Sequence, residues 1–440
     1  MRSSHNLDRL RTAFDDDRLV ADAGLLLPAT LADQLGLREL VSEHLDLGDR
    51  PGHPNRGDKL LSLVMSALAG GDCIDDANAL RAGGTGAILG FPVKAASTLG
   101  TFLRSFRLAQ LRQLDGLSRT LLGRAWAAGA GPGREPLTID LDSTHCETYG
   151  EYKEGAARFT YQSTRGYHPL LAVLAGSGEV LHARLREGVA RSARGAGWFV
   201  TETVSRVRAA GATGPIVLRA DAGFYDHAVV EAARRAGVGF SITVRSSATM
   251  RRTLAELPEV AWRAVPEWPG AEVAETVYTP FDQRPRPRPV RLIVRRVPDP
   301  AGAQLALFAG YRYWAFITDR EGDALAIEID HRCHAEVENA IRDLKYGVGL
   351  NHLPSGRFAA NAAWLAIQVM AHDLARWTAR IGLGETRPVT VKTLRRRLFG
   401  LVGRLTRSAR RLTLHLPARW PWAVDWSIAL ARLRAIPLSS

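Results

Sequence analysis

Apolar residues recur every three or four positions through the first third of the chain. "GDKLLSLVMSALAGG" and "STLGTFLRSFRLAQLRQLDGLSRTLLGRAWAAG" both carry this spacing, which predicts helices over about 25–128. Ser97 is expected to cap the second run, with Arg104, Arg107 and Arg112 on its solvent side. "AGAGPGREP", Ala128 to Pro136, reads as a linker. The period then shortens. "LTIDLDST" alternates, and "HPLLAVLAG" and "EVLHARLRE", joined by "SGE", predict a hairpin. A helix "GWFVTETVSRVRAAG", a strand "PIVLRADAG", a helix "DHAVVEAARRAG" and a strand "VGFSITVRSS" follow. Three strands, helix, strand, helix, strand is a mixed α/β order.

Between about 249 and 310 the order breaks: "VAWRAVPEW", "AEVAETVYTPF" and "RPVRLIVRRV" predict an all-β insertion, and Trp262, Trp268 and Trp314, in or beside it, are expected in the core. The strand "YRYWAFITD" and a long helix from about Ala335 resume the α/β order, and helices end the chain. The segment Val391 to Trp420 holds nine Lys or Arg and no acid, and predicts a basic amphipathic helix whose Arg395, Arg396 and Arg397 contact phosphates. The expected organisation is a helical DNA-binding region over 1–130, the first part of a core over 137–248, the insertion over 249–310, the second part of the core over 311–350 and a basic helical region over 351–440.

Composition narrows the class of partner. The 440 residues are 46% hydrophobic and 23% charged, enough for a large core. A net charge of +13 favours a polyanionic partner such as nucleic acid or an anionic membrane surface, which charge alone does not separate. No apolar run approaches the roughly 20 residues that span a bilayer, and the first twenty residues lack an apolar signal core, so no membrane is expected and the protein is read as cytoplasmic. Cys73, Cys146 and Cys333 form no CxxC pair, and neither His145 with Cys146 nor His331, Cys333 and His334 has the spacing of a four-ligand zinc site. "GTGAILG", Gly84 to Gly90, lacks the Lys-Ser/Thr of a phosphate loop.

Acidic residues carry the candidate chemistry. In "LTIDLDSTHCETYG", Asp140 and Asp142 share one strand face and Ile139 and Leu141 the other. Paired carboxylates there suit either a solvated face or a site for a hard cation. Asp221 stands where the strand in "VLRADAGFYD" ends, a position that exposes a side chain at the sheet's carboxyl edge, and Asp226 is expected to cap the next helix. In "HRCHAEVENAIRDLKYGVGL", Val337, Ile341, Leu344 and Val348 form an apolar stripe that separates Glu338 from Glu336. On the Glu338 side lie His331, His334, Arg342 and Lys345, donors suited to DNA phosphates; on the Glu336 side, Arg332 and Asp343 read as a solvated ion-pairing face.

The motifs "DLDST" with Asp142, "RADAGFYD" with Asp221, and Glu338 followed by Lys345 resemble the DDE transposases of bacterial insertion sequences, most closely the insertion-sequence 1380 group, which is related to the insertion-sequence 4-like transposases. A related signature runs Tyr, two residues, Arg, three residues, Glu, six residues, Lys; here His331 and His334 occupy its first two places. The resemblance implies a ribonuclease H-like mixed-sheet core with an all-β insertion and helical ends. It implies two Mg²⁺ ions, with Mn²⁺ as a substitute, held by Asp142, Asp221 and Glu338, and Asp140 either assisting or tuning Asp142. The implied activity is DNA strand cleavage at transposon ends and strand transfer into target DNA. The implied partners are double-stranded terminal inverted repeats and target DNA, bound by a homodimer in the bacterial nucleoid, with Lys345, His331, His334, Arg342, Lys153 and Arg165 among the contacts. A stand-alone metal-dependent nuclease and a non-catalytic DNA-binding regulator are the rival classes.

Overall fold

The computed structural model describes residues 10–156, 164–284, 287–298 and 310–438. The amino-terminal third is helical, as its period requires. Helix α1 (Arg56–Ala69) is buried along nearly its whole length and ends at Gly70, whose φ of 112° few other residues adopt. Helix α2 (Leu108–Ala125) turns Leu114, Leu117 and Leu121 inward, a stripe at three- and four-residue spacing. The helix begins one residue after Arg107, and the preceding one, Ala96–Arg104, has no side-chain cap; Ser97 lies within its first turn.

A nine-stranded sheet forms the centre. Its strands are β1 (Leu137–Ser143), β2 (Leu170–Leu174), β3 (Val180–Arg184), β4 (Ile216–Ala220), β5 (Gly239–Thr243), β6 (Arg263–Ala264), β7 (Glu272–Tyr278), β8 (Val290–Pro298) and β9 (Tyr311–Thr318), in spatial order β3-β2-β1-β4-β5-β9-β8-β7-β6. The pairs β1/β2 and β2/β3 are antiparallel and β1/β4 and β4/β5 are parallel. The parallel steps need crossovers, supplied by helices α3 (Ala196–Ala209) and α4 (His227–Arg235). Strand order 3-2-1-4-5 with this mixture of directions is the ribonuclease H-like arrangement expected from the sequence.

The insertion is not a separate all-β unit. It contains the helix Ala248–Ala255, and β6 to β8 extend the core sheet as an antiparallel meander through β9, which pairs with β5. One face buries Val265, Val273, Ile293 and Phe316 with Ile327 of α5 (Ala324–Arg332). Trp268 and Trp314, expected in the core, are 36% and 43% exposed, and the guanidinium of Arg295 lies over both rings at 4.6 and 4.9 Å. Apolar composition alone could not distinguish a core ring from one covered by an arginine.

Two further helices close the core. Helix α6 (Val337–Gly347) follows α5 through a 3₁₀ turn, and α7 (Phe358–Trp377) is buried almost throughout, packing on α1, α2 and β3. The basic segment after Val391 differs from its expectation. Two short helical stretches, Val391–Leu394 and Arg395–Phe399, give way to a hairpin of Gly403–Ser408 and Arg411–His415, whose first strand pairs with Leu19–Val20. Its alternating Leu and Thr positions suit a strand's period of two, and Gly400 and Gly403 interrupt a helix. Among the described residues no helix is long and apolar enough to cross a membrane.

Candidate active site

Strand β1 lies in the middle of the sheet, so both its neighbours constrain its side chains. Leu137, Ile139 and Leu141 are buried on one face. On the other, register places Asp140 beside Arg219 of β4 and Asp142 beside Leu171 of β2. The two aspartates are treated differently. Asp140 is 1% exposed and accepts from Arg219 Nε and Nη2 at 2.8 and 2.9 Å and from His334 Nδ1 at 2.9 Å. Its oxygens are committed to protein partners, so it supports the site from below and the cation-ligand reading of Asp140 fails on geometry. Asp142 lines an open cleft. Burial pushes its carboxyl up to about 6; the Ser143 N–H and His334 oppose that, and the charges of Asp221 and Glu338 add to it.

The second carboxylate comes from the end of β4. Asp221 is exposed and caps a 3₁₀ turn, accepting from the Gly223 N–H at 2.8 Å. A Cβ at Gly223 would stand 2.9 Å from Asp221 Oδ1, so a glycine lets the turn close onto the carboxylate. Arg245 fixes the same turn from outside, donating to the carbonyls of Ala222 and Gly223. Asp226 caps α4 through the Ala228 N–H, as expected.

The third comes from α6. Val337, Ile341, Leu344 and Val348 are buried, and this turns Glu338 towards the cleft with Arg342 and Lys345. The cleft, about 460 Å³, is lined by Asp142, Asp221, His334, Glu338, Arg342, Lys345 and Tyr346, with Glu336 outside it. Lys345 Nζ donates to the His145 carbonyl at 2.7 Å, which brings its charge across to β1's continuation. The carboxylates of Asp142, Asp221 and Glu338 do not all come within 4.8 Å of one another, so they are spread more widely than one ion's shell. The charges of Asp221 and Glu338 add to the burial that raises the Asp142 carboxyl, an arrangement that a bound cation would relieve. A larger cavity of about 550 Å³ between α2, β3 and α7 lies elsewhere; of its acids, Asp115 and Glu202 are paired with Arg206 and Arg184, and Asp373 accepts from the Val180 N–H.

Several residues expected to contact DNA lie outside this cleft. His331 stacks on Phe316 with ring centroids 4.0 Å apart and bonds Ser241 and Thr243; burial and the surrounding cations push its imidazole down to about 3. It is a packed, neutral side chain, because the 3₁₀ turn at Cys333–Glu336 rotates it away from Glu338. Lys153 donates to the Leu353 carbonyl and Arg165 to the Gly150 carbonyl, both outside the cleft. Arg395 donates to the carbonyls of Leu68, Ala67 and Gly347, whereas Arg396 and Arg397 are exposed. Asp343, read as solvated, is buried and accepts from Arg376 and from the Val391 N–H. Sequence reasoning missed Arg219, whose signal was a charged residue inside an apolar strand two positions before Asp221.

A ribonuclease H-like sheet whose central strand, neighbouring strand end and packed helix each contribute an acid to one cleft defines a class of metal-dependent polynucleotidyl-transfer fold. The chain matches the family described as Transposase DDE domain group 1 over residues 3–438, and belongs to that family of DDE transposases. Among solved structures it is similar to piggyBac transposase in a cryo-EM synaptic complex with hairpin DNA, at 13% identity and a TM-score of 0.44, covering 86% of this chain and 80% of that one. No curated protein matches the sequence.

Proposed function

We propose that this transposase cuts double-stranded DNA at the terminal inverted repeats of an insertion sequence of the 1380 group and joins the freed end to target DNA. Asp142, Asp221 and Glu338 would hold two Mg²⁺ ions, with Mn²⁺ able to replace them. The observation that carries this reading is the meeting of these three carboxylates, from three separate elements, in one cleft with Arg342 and Lys345. Their spread beyond 4.8 Å fits two ions some 4 Å apart better than one.

Bound there, the ions would lower the pKa of a water and offset charge on the departing oxygen. The protein's own groups do the rest. Asp142 must be ionised to act, and above about pH 6 it is. Arg342 and Lys345 supply positive charge for a non-bridging phosphate oxygen. In the first step water oxygen bonds to phosphorus, the bond to the 3′ oxygen breaks and that oxygen takes a proton. In the second the new 3′ hydroxyl oxygen bonds to a target phosphorus and loses its proton, while the bond from that phosphorus to the target strand's 3′ oxygen breaks and that oxygen takes a proton. The surplus of basic residues supplies affinity for the duplex, read here as bound by a homodimer.

Cleavage of an end-labelled terminal repeat in Mg²⁺ tests the assignment. Asp142→Ala, Asp221→Ala and Glu338→Gln should each lose at least about 10³-fold in rate at equal DNA occupancy, while Glu336→Gln stays near wild type. An active Glu338→Gln variant, or an inactive Glu336→Gln one, would contradict it. Cleavage without joining to a target would assign a nuclease instead.

A further inference from the structure

Asp140 leaves a question that the three-carboxylate centre does not answer: why a buried carboxylate stands directly behind it. The stack beneath the cleft is fully engaged. Arg219, 2% exposed, grips Asp140 through two nitrogens and reaches Asp330 through Nη1, and Arg320 holds Asp330 in turn at 2.5 Å. A guanidinium keeps its protons, so Asp140 paired to it through both oxygens acts as an acceptor only. The hydrogen in its contact with His334 therefore sits on His334 Nδ1, which leaves Nε2 as the ring nitrogen available to the cleft.

That imidazole lines the same cleft as Asp142, Asp221 and Glu338 and is 13% exposed. Among the described residues Nε2 has no hydrogen-bond partner within the protein. Backing a ligating histidine with a carboxylate on its other nitrogen is a recurring way to fix its tautomer and raise its basicity. Bound to a cation, Nε2 would be unable to donate to a phosphate, which is the contact the sequence suggested for this residue.

We infer that His334 is a fourth protein ligand of the metal centre through Nε2, with Asp140 as the positioning residue that orients it and Arg219 holding Asp140. This rests on the reading of Asp142, Asp221 and Glu338 as metal ligands. It also changes the expected selectivity: a nitrogen donor favours Mn²⁺ over Mg²⁺, which prefers an all-oxygen shell.

Pulsed electron paramagnetic resonance of the full chain with Mn²⁺, without DNA, tests the ligand directly. Bound Mn²⁺ should show coupling to an imidazole nitrogen that changes isotope signature when the protein carries ¹⁵N-histidine and disappears in His334→Ala. Asp140→Asn should weaken Mn²⁺ binding by about 10-fold or more, with thermal melting as the check that it folds. The wild-type and His334→Ala spectra decide the matter even if that variant does not fold. Bound Mn²⁺ without nitrogen coupling, or with coupling that survives in His334→Ala, would overturn the ligand while leaving the carboxylate centre standing. Absence of Mn²⁺ binding, with wild type equal to Asp142→Asn, would overturn both.

Discussion

Asp142 is pulled in two directions: burial and two neighbouring acids favour its protonated form, while cation binding needs it charged. With its carboxyl at about 6 against the usual 3.8, the folded state binds this proton more tightly than the unfolded state. Stability from this group is therefore present below about pH 4 and is lost as pH rises through about 6. The cost at pH 7 is at most about 3 kcal/mol, the equivalent of the shift. Without metal, Asp142→Asn should be more stable than wild type by about 1–3 kcal/mol at pH 7, and the gain should vanish near pH 4. Denaturant melts at the two pH values check this. A variant no more stable than wild type at pH 7 would show that the cleft does not strain this carboxylate. At this scale the sequence was half legible. Alternation put Asp140 and Asp142 on one face, but their difference arises from Arg219, a partner 79 positions away across the β1/β4 register. No local pattern encodes that pairing.

Helix α6 and the basic segment show opposite outcomes at the scale of elements. The stripe Val337, Ile341, Leu344 and Val348 orients α6 and was readable, because burial of a stripe follows from the 3.6-residue period. Asp343, on α6, was misread: it anchors the buried groups Arg376 and His372 of α7, a long-range contact between two helices. The segment after Val391 was read as one basic amphipathic helix from its alternate apolar positions, though that period fits the hairpin it forms. Its arginines divide accordingly. Arg395→Ala should destabilise the fold by about 2–4 kcal/mol, since three carbonyls lose a charged donor, with no change in the salt dependence of DNA binding. Joint replacement of Arg396 and Arg397 by Ala should leave stability intact and flatten the slope of log affinity against log salt by up to about two units. Melting curves and salt titrations of the two variants, run together, separate them; a flattened slope for Arg395→Ala would place that side chain on DNA.

The whole molecule joins a helical front, an extended ribonuclease H-like sheet and a basic end around α7, which touches α1, α2 and β3. The succession of core elements, three strands, helix, strand, helix, strand, was legible from the periods along the chain, and their ribonuclease H-like arrangement from the resemblance carried by Asp142, Asp221 and Glu338. The join of β9 to β5, which merges the insertion into the core sheet, was not, since edge pairing is decided in three dimensions. The claim on which the function depends is that Asp142 and Asp221 touch the ions that promote strand cleavage. Replacing each in turn by cysteine tests it most directly, because a thiolate binds Mg²⁺ poorly and Mn²⁺ better. Cleavage of a terminal-repeat duplex by Asp142→Cys and Asp221→Cys should be lost in Mg²⁺ and substantially restored in Mn²⁺, with Glu336→Cys active in both. Equal activity of the aspartate variants in Mg²⁺ and Mn²⁺ would contradict metal contact by these residues.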